Sequence, residues 1–446
     1  MSPHTVCTSA TETEQDLHQF PWKVYDVTSN GFLPEVAPLQ TFSDGYYQPW
    51  DDIISKLPQL LNDGTLREET LALPLLSTDR IHSEAEWRRA YSVLAFLAHG
   101  YIWGGKQAAE ILPIVISKPF SEVARRLDLP PVLSYAACNL WNFTSNGGDF
   151  ADLENLQPLH SFTGTVDEAW FLMVSVAMEA QTASIIPVMK RALDSVRIRE
   201  YDVISDALEK LIICIGKVGV LLERMYEKCK EDVFYHQIRP YLAGSKNMEA
   251  AGLPRGVFYT TGDLGEGNWM QLRGGSNGQS SIIQFFDIVL GIQHNHEGPS
   301  NPLSSEVCAT RTFHEEVRDY MPAGHRRFLL DVSRLGSIRQ LANLPASTPE
   351  QQRFCATYIR ATETLGVFRS KHITLVTRYI VLPSRRAAAA QLGKQNLASA
   401  SAEVQAIGGR GGPEADAELK GTGGTTLIPF LKQVRDETVE AGLLRA

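Results

Sequence analysis

No long run of basic residues occurs in this chain, whose formal net charge is -9. The phosphate-neutralising surface that nucleic-acid binding needs is therefore not evident, and nucleic acid is set aside as a partner. Cysteine is sparse. The six (Cys7, Cys138, Cys214, Cys229, Cys308, Cys355) are scattered, with no CxxC pair and no His/Cys group at zinc spacing, so a reducing compartment fits best. The opening "MSPHTVCTSATETEQ" lacks the basic start and apolar centre of a signal peptide, and it is too acidic for a transit peptide. The longest apolar stretch, "AWFLMVSVAMEA" at 169–180, is too short to cross a bilayer. The expectation is a soluble cytoplasmic protein without a membrane partner. Alternating strand patterns are scarce and no βαβ rhythm appears. No GxSxG elbow marks a hydrolase.

Helical periodicity is what the chain has in quantity. Its 446 residues, 43% of them hydrophobic, allow about two or three domains and a large core. From Tyr201, apolar residues recur at Ile204, Leu208, Leu211, Ile212, Ile215, Val218, Leu222 and Met225, which predicts one helix of about six turns. A second opens at "TVDE", where Thr165 and Glu168 form a capping-box signature. A kink is expected in it at Pro187. The fold class is therefore all-α. Short segments broken by prolines fill the first part of the chain and the long helices follow Ser161, so a small helical domain (1–160) and a large one (161–446) are expected. Residues 384–425, rich in Ala, Gly and Ser, are expected to form a flexible loop. The closing "LIPFLKQVRDETVEAGLL" is amphipathic and is expected to dock back on the body.

Three groups of residues could carry chemistry. "RGGSNGQSS" (273–281) lacks the Lys-Ser/Thr of a P-loop. It is either a tight turn before the helix "SIIQFFDIVLGI", or a place where Gly275, Ser276, Asn277 and Gly278 bring backbone close to a flat ligand. "HNH" (294–296) and "HEE" (314–316) have no third ligand at helical spacing and read as solvated surface. In "FRSKHITLVTRYIVLP" (368–383), His372 leads the stripe Leu375, Val376, Tyr379, Ile380, with Arg369 one turn earlier. A hydrogen-bonded core histidine is one reading. A haem ligand is the other, because haem is flat and apolar, its propionates want a cation, and its iron accepts an imidazole.

The blocks "FLAHGYIWGG", "LPPVLSYAACNLW", "FLMVSVAMEA", "FYHQIRPYLAG", "GGSNGQSSIIQFFDIVLGIQH", "YMPAGHRRFL", "FRSKHITLVTRYI" and "KGTGGT" follow one another along the chain. In that order they resemble the indoleamine 2,3-dioxygenase family over most of the chain after residue 90. The resemblance implies haem b held between a small and a large helical domain. His372 is then the proximal iron ligand and Arg369 the propionate partner, leaving the other iron face for O2. Phe171 and Ser175 would face the iron, with Phe234 as an aromatic wall and Arg239 as the clamp for the substrate carboxylate. Tyr135 and Cys138 would line the indole pocket. Gly275, Ser276 and Asn277 would touch haem or substrate, and Thr422 would sit in a closing lid. Asp287 is expected to support the proximal side by pairing Arg369, and His236 to point away from the site.

The activity so implied inserts both atoms of O2 across the indole C2=C3 bond of L-tryptophan, giving N-formylkynurenine on the route to kynurenine and NAD. A reductant to keep the iron ferrous is implied as a further partner. Leu172, Lys371 and Asn277 depart from residues common in the family, and the insert after Arg385 is longer than in compact members. A non-catalytic haem or oxygen sensor on the same fold, and a haem-free helical scaffold, are the competing readings.

Overall fold

The computed structural model describes residues 20–262, 265–295, 311–389, 419, 421–422 and 426–444. Helices dominate, as the periodicity requires. The first long one, Glu84–Trp103, starts at a capping box in which Ser83 and Glu86 satisfy each other's backbone N–H groups. It is buried along most of its length, and the earlier helices Gln48–Ser55, Leu57–Asp63 and Leu66–Leu71 pack on it.

The Tyr201 stripe forms a single helix, Tyr201–Glu223, which packs against the longest helix of all, Pro349–Val376. Proline at the first position of that helix costs nothing, because its missing N–H belongs to the unbonded first turn. The closing helix, Leu427–Ala441, also lies against Pro349–Val376. There Tyr358 Oη donates to Ala441 O at 3.2 Å.

Several features differ from the sequence reading. Thr165 does cap the helix Val166–Gln181 by accepting from Glu168 N, but the Glu168 carboxylate turns to Phe162 N and Thr163 N, so the box is only half built. The bend expected at Pro187 falls earlier, at 182–184, where Val166–Gln181 and Ile185–Ser195 meet at 44°. Pro187 itself lies in the first turn of the second helix, where no intrahelical bond is lost. A small sheet is also present: Ile111–Leu112 pairs parallel to Val257–Thr260, which pairs antiparallel to Gly267–Met270. Only Val257 and Tyr259 alternate inward, too short a pattern to register as a strand signal.

Of the 384–425 segment, residues 384–389 continue the helix Leu382–Ala389 rather than a loop, and Leu419, Gly421 and Thr422 are placed. Its other residues lie outside the described ones. No single described helix is long and apolar enough to cross a membrane.

Buried apolar side chains form two clusters. One gathers Phe96, Tyr135, Cys138, Phe234 and Tyr379 with the helices around them. The other gathers Leu222, Ile282, Phe286, Phe368 and the long helices of the second half. Between them lies a cavity that takes wall residues from both.

Candidate active site

Every site residue singled out from the sequence, except Asp287, lines this one cavity. The helix Val166–Gln181 contributes a stripe at i, i+4 and i+8: Phe171, Ser175 and Glu179. Another part of the wall comes from the end of Pro349–Val376, with Arg369, His372 and Val376. Phe171 and Phe234 meet with ring centroids 5.0 Å apart, and Phe234 stands edge-on to Tyr379 at 5.7 Å.

Three of the cavity's contributing segments are single π-turns: Ala136–Leu140, Phe234–Ile238 and Thr377–Val381. Such turns insert an extra residue into a helix and re-aim the side chains after it. They place Cys138, Phe234 and Tyr379 on the cavity. In the second, His236 faces solvent while Phe234 and Arg239 are buried, as helical rotation predicted.

His372 differs from an ordinary core histidine. Buried His99 shows the ordinary case, its ring sharing hydrogen bonds with Tyr241 O (2.7 Å) and Leu133 N (3.1 Å). The His372 ring makes no hydrogen bond to any described residue. Burial, helped by the nearby Arg369 charge, lowers its pKa to about 4. A neutral imidazole with a free lone pair on the wall of a largely apolar cavity is the donor that haem iron takes. The residues present therefore fit a haem.

Arg369 is buried and fixed. Its Nη2 donates to Asp287 Oδ1 at 2.5 Å, and its Nη1 bonds Val434 O (3.1 Å) and Thr438 Oγ1. Asp287 thus stands behind the cavity wall, joined to it through Arg369. Desolvation raises a carboxyl pKa, yet the Arg369 charge wins and holds Asp287 below its usual range. Lys371, on the outer face, pairs with Glu223 at 2.7 Å.

Arg239 is 2% exposed, and burial lowers its pKa to about 10. The segment after it is locked by close backbone approach. A Cβ on Gly274 would stand 2.1 Å from Leu242 O, so only glycine fits there. Gln279 staples the glycine run to the opposite side, accepting from Tyr135 N and donating to Gly274 O, both at 2.8 Å. Thr422 closes over the run. Its hydroxyl donates to Gly275 O at 2.7 Å, and its carbonyl accepts from Gly274 N at 3.3 Å.

Two groups escaped the sequence reading. Glu179, 1% exposed, accepts at Oε1 from Tyr135 Oη (3.0 Å) and Ser280 Oγ (2.6 Å), and burial pushes its pKa up to about 7. The available signal was an acid on the same helical stripe as Phe171 and Ser175, inside an apolar run. The second correction concerns "HNH" and "HEE". His294 and His314 are not solvated surface: their rings stack with centroids 3.9 Å apart, and His294 Nε2 lies 3.0 Å from Asp287 Oδ2. His296 lies outside the described residues.

Known proteins give the same picture as the cavity. The family model described as indoleamine 2,3-dioxygenase matches residues 21–441. The chain is 37% identical to an indoleamine 2,3-dioxygenase of Aspergillus nanangensis, over 94% of this chain and 96% of that one. It is 38% identical to the indoleamine 2,3-dioxygenase of Saccharomyces cerevisiae, with 92% and 91% covered. A 6-hydroxytryptophan 2,3-dioxygenase of Fusarium equiseti is 34% identical, with 93% and 95% covered. Matched across nearly its whole described length by one family and its members, the chain belongs to the indoleamine 2,3-dioxygenase family.

Proposed function

We propose that this chain is a haem-dependent dioxygenase that inserts both atoms of O2 across the indole C2=C3 bond of L-tryptophan, releasing N-formylkynurenine. The observation that carries this reading is that His372 and Arg239 line one cavity with Phe171, Ser175 and Phe234. Tryptophan has a flat apolar end and an ionic end, and a site for it needs both kinds of wall. Haem, when bound, supplies the redox chemistry that makes O2 reactive.

The protein's own contribution is mainly positioning. His372 would hold the iron and Arg369, fixed by Asp287, would supply the cation for a propionate. Arg239 takes the substrate carboxylate, an interaction that burial shields from water. Phe171, Phe234, Tyr135 and Cys138 bracket the indole ring and exclude water. Ser175 offers a hydroxyl within this apolar wall. Gly275, Ser276 and Asn277 let backbone approach the bound groups, and Thr422 holds that strip closed. A small domain up to residue 160 and a large one beyond it, with haem between them, belong to this reading. Walls drawn from both parts support it, since Tyr135 and Cys138 come from the first and the rest from the second. The setting is cytoplasmic, where a reductant keeps the iron ferrous and the product feeds the kynurenine route to NAD.

The test is to incubate haem-loaded, ferrous protein with L-tryptophan in air and to follow formation of N-formylkynurenine by absorbance and mass. Turnover that disappears in His372→Ala together with the haem spectrum is expected. Full haem loading with no product would replace the enzyme by a haem or oxygen sensor, and a protein that takes up no haem would sink both.

A further inference from the structure

Beside Arg369, at an edge of the cavity that His314 also lines, three potential metal ligands converge. Asp287, His294 and His314 each place a donor atom within 4.8 Å of the other two. They come from different parts of the chain: the helix Ser281–Leu290, the segment after it, and the helix Phe313–Arg318. We propose that these three side chains form a binding site for a divalent transition cation of the zinc class, separate from the haem.

The donor set suits such an ion. Two imidazoles and one carboxylate, with a further position left to water, is an established zinc arrangement. Bonds of about 2.0–2.1 Å in tetrahedral geometry put donors roughly 3.4 Å apart, so donors within 4.8 Å of one another need a contraction of at most roughly 1.4 Å. Asp287 Oδ2 and His294 Nε2 are already 3.0 Å apart. His314 supplies the movement. Its ring makes no hydrogen bond to a described residue and is held by stacking on His294 (3.9 Å) and by Phe430 (5.6 Å), so a side-chain rotation can aim a nitrogen inward.

The surroundings argue more strongly than the donors. A ligating histidine almost always donates its other N–H to a carboxylate, which fixes its tautomer. His294 Nδ1 lies 2.7 Å from Glu437 Oε2, and Glu437 is itself fixed by Asn295 N (3.0 Å) and Gln433 Nε2 (2.9 Å). A ligating carboxylate is likewise held by its free oxygen, as Arg369 holds Asp287 Oδ1. The supporting shell of a metal centre is thus in place around the three donors.

Charge points the same way. Asp287 and Glu437, both about 8% exposed or less, set two buried carboxylates against His294, and Arg369 pairs with Asp287. The cluster opens on a polar cleft lined by Gln284, Gln293, Thr312 and Glu315, which provides an entry path. Arg318 stands at that cleft, in the field of both Glu315 and Asp287.

The decisive measurement is equilibrium dialysis of the haem-loaded, tag-free protein against Zn2+, with zinc and iron quantified by elemental mass spectrometry. About one zinc per chain beyond background is expected, with iron content unchanged. His294→Gln and His314→Leu should each weaken zinc binding at least tenfold, with far-UV circular dichroism and the thermal midpoint confirming that the variants are folded. Absence of zinc uptake by the unmodified protein overturns the proposal, as does uptake that survives in the folded double variant.

Discussion

Arg369 and Asp287 form a buried ion pair, Nη2 to Oδ1 at 2.5 Å, with Arg369 one helical turn before His372 on the cavity wall. Neither side chain is more than 8% exposed, so water screens the pair little. The pair ties the helix Ser281–Leu290 to Pro349–Val376, and the Thr438 and Val434 bonds of Arg369 add the closing helix. The wall that carries His372 is therefore braced from two sides.

Removing Asp287 tests this brace. Asp287→Ala leaves the Arg369 charge buried without its carboxylate, a change that costs about 3–5 kcal/mol. A lower thermal midpoint and a smaller ratio of Soret to protein absorbance are expected. In the unmodified protein the folded pKa of Asp287 is depressed, so its contribution is complete above the ordinary value of 3.8 and is lost as pH falls below it. Full haem content and an unchanged melt in the variant would refute the assignment.

Arg239 is expected to act on substrate and not on haem. Arg239→Ala should raise KM for tryptophan about ten- to a hundredfold, the equivalent of roughly 1.5–3 kcal/mol for a charge-assisted bond. The haem spectrum should stay as it is. Arg239→Lys should recover only part of the loss, since an ammonium cannot make the bidentate contact. Steady-state kinetics beside the absorption spectrum check both statements.

Glu179 should make stability depend on pH near neutrality. Its folded pKa of about 7 exceeds the ordinary 4.5, so the neutral carboxyl is favoured in the fold and stability is lost as pH rises between those values. The loss amounts to about 3 kcal/mol once the group is ionised. Glu179→Gln keeps an acceptor for Tyr135 and Ser280 and removes the charge. Its advantage over the unmodified protein in chemical denaturation should grow from pH 5 to pH 8; parallel pH profiles would count against a neutral Glu179.

Gly274→Ala probes the backbone contact behind Arg239. Its Cβ would lie 2.1 Å from Leu242 O and 2.4 Å from Gly244 N, atoms that cannot swing aside. A loss of about 1–3 kcal/mol in urea denaturation is expected, as for overpacked sites. KM should rise with it, because Thr422 and Gly275 are bonded to the same strip.

Much of this molecule was legible along the chain. The Tyr201 stripe became one helix because 3.6-residue periodicity is a local property that needs no partner to be visible. His372, Arg239, Phe171 and Tyr135 were legible as blocks of a family. Pro187 was legible as a break, since a proline cannot bond the residue four before it and its ring crowds that carbonyl, but the bend itself sits at 182–184. The π-turns left no mark in the sequence, since an inserted residue in a helix has no compositional signature.

What the sequence by itself determined is the all-α class, the long helices and the kinds of side chain that reach the site, because these follow from spacing and residue chemistry. Only the tertiary structure decided which of them meet. His294 and Glu437 stand 143 positions apart and Arg369 and Asp287 82 apart, and no periodicity relates such pairs. The same packing turned two apparently solvated histidines into a stacked pair against a buried carboxylate, and an acid in an apolar run into a hydrogen-bonded wall of the cavity. Burial, which reverses the expected state of a charged group, is a property of the assembled fold.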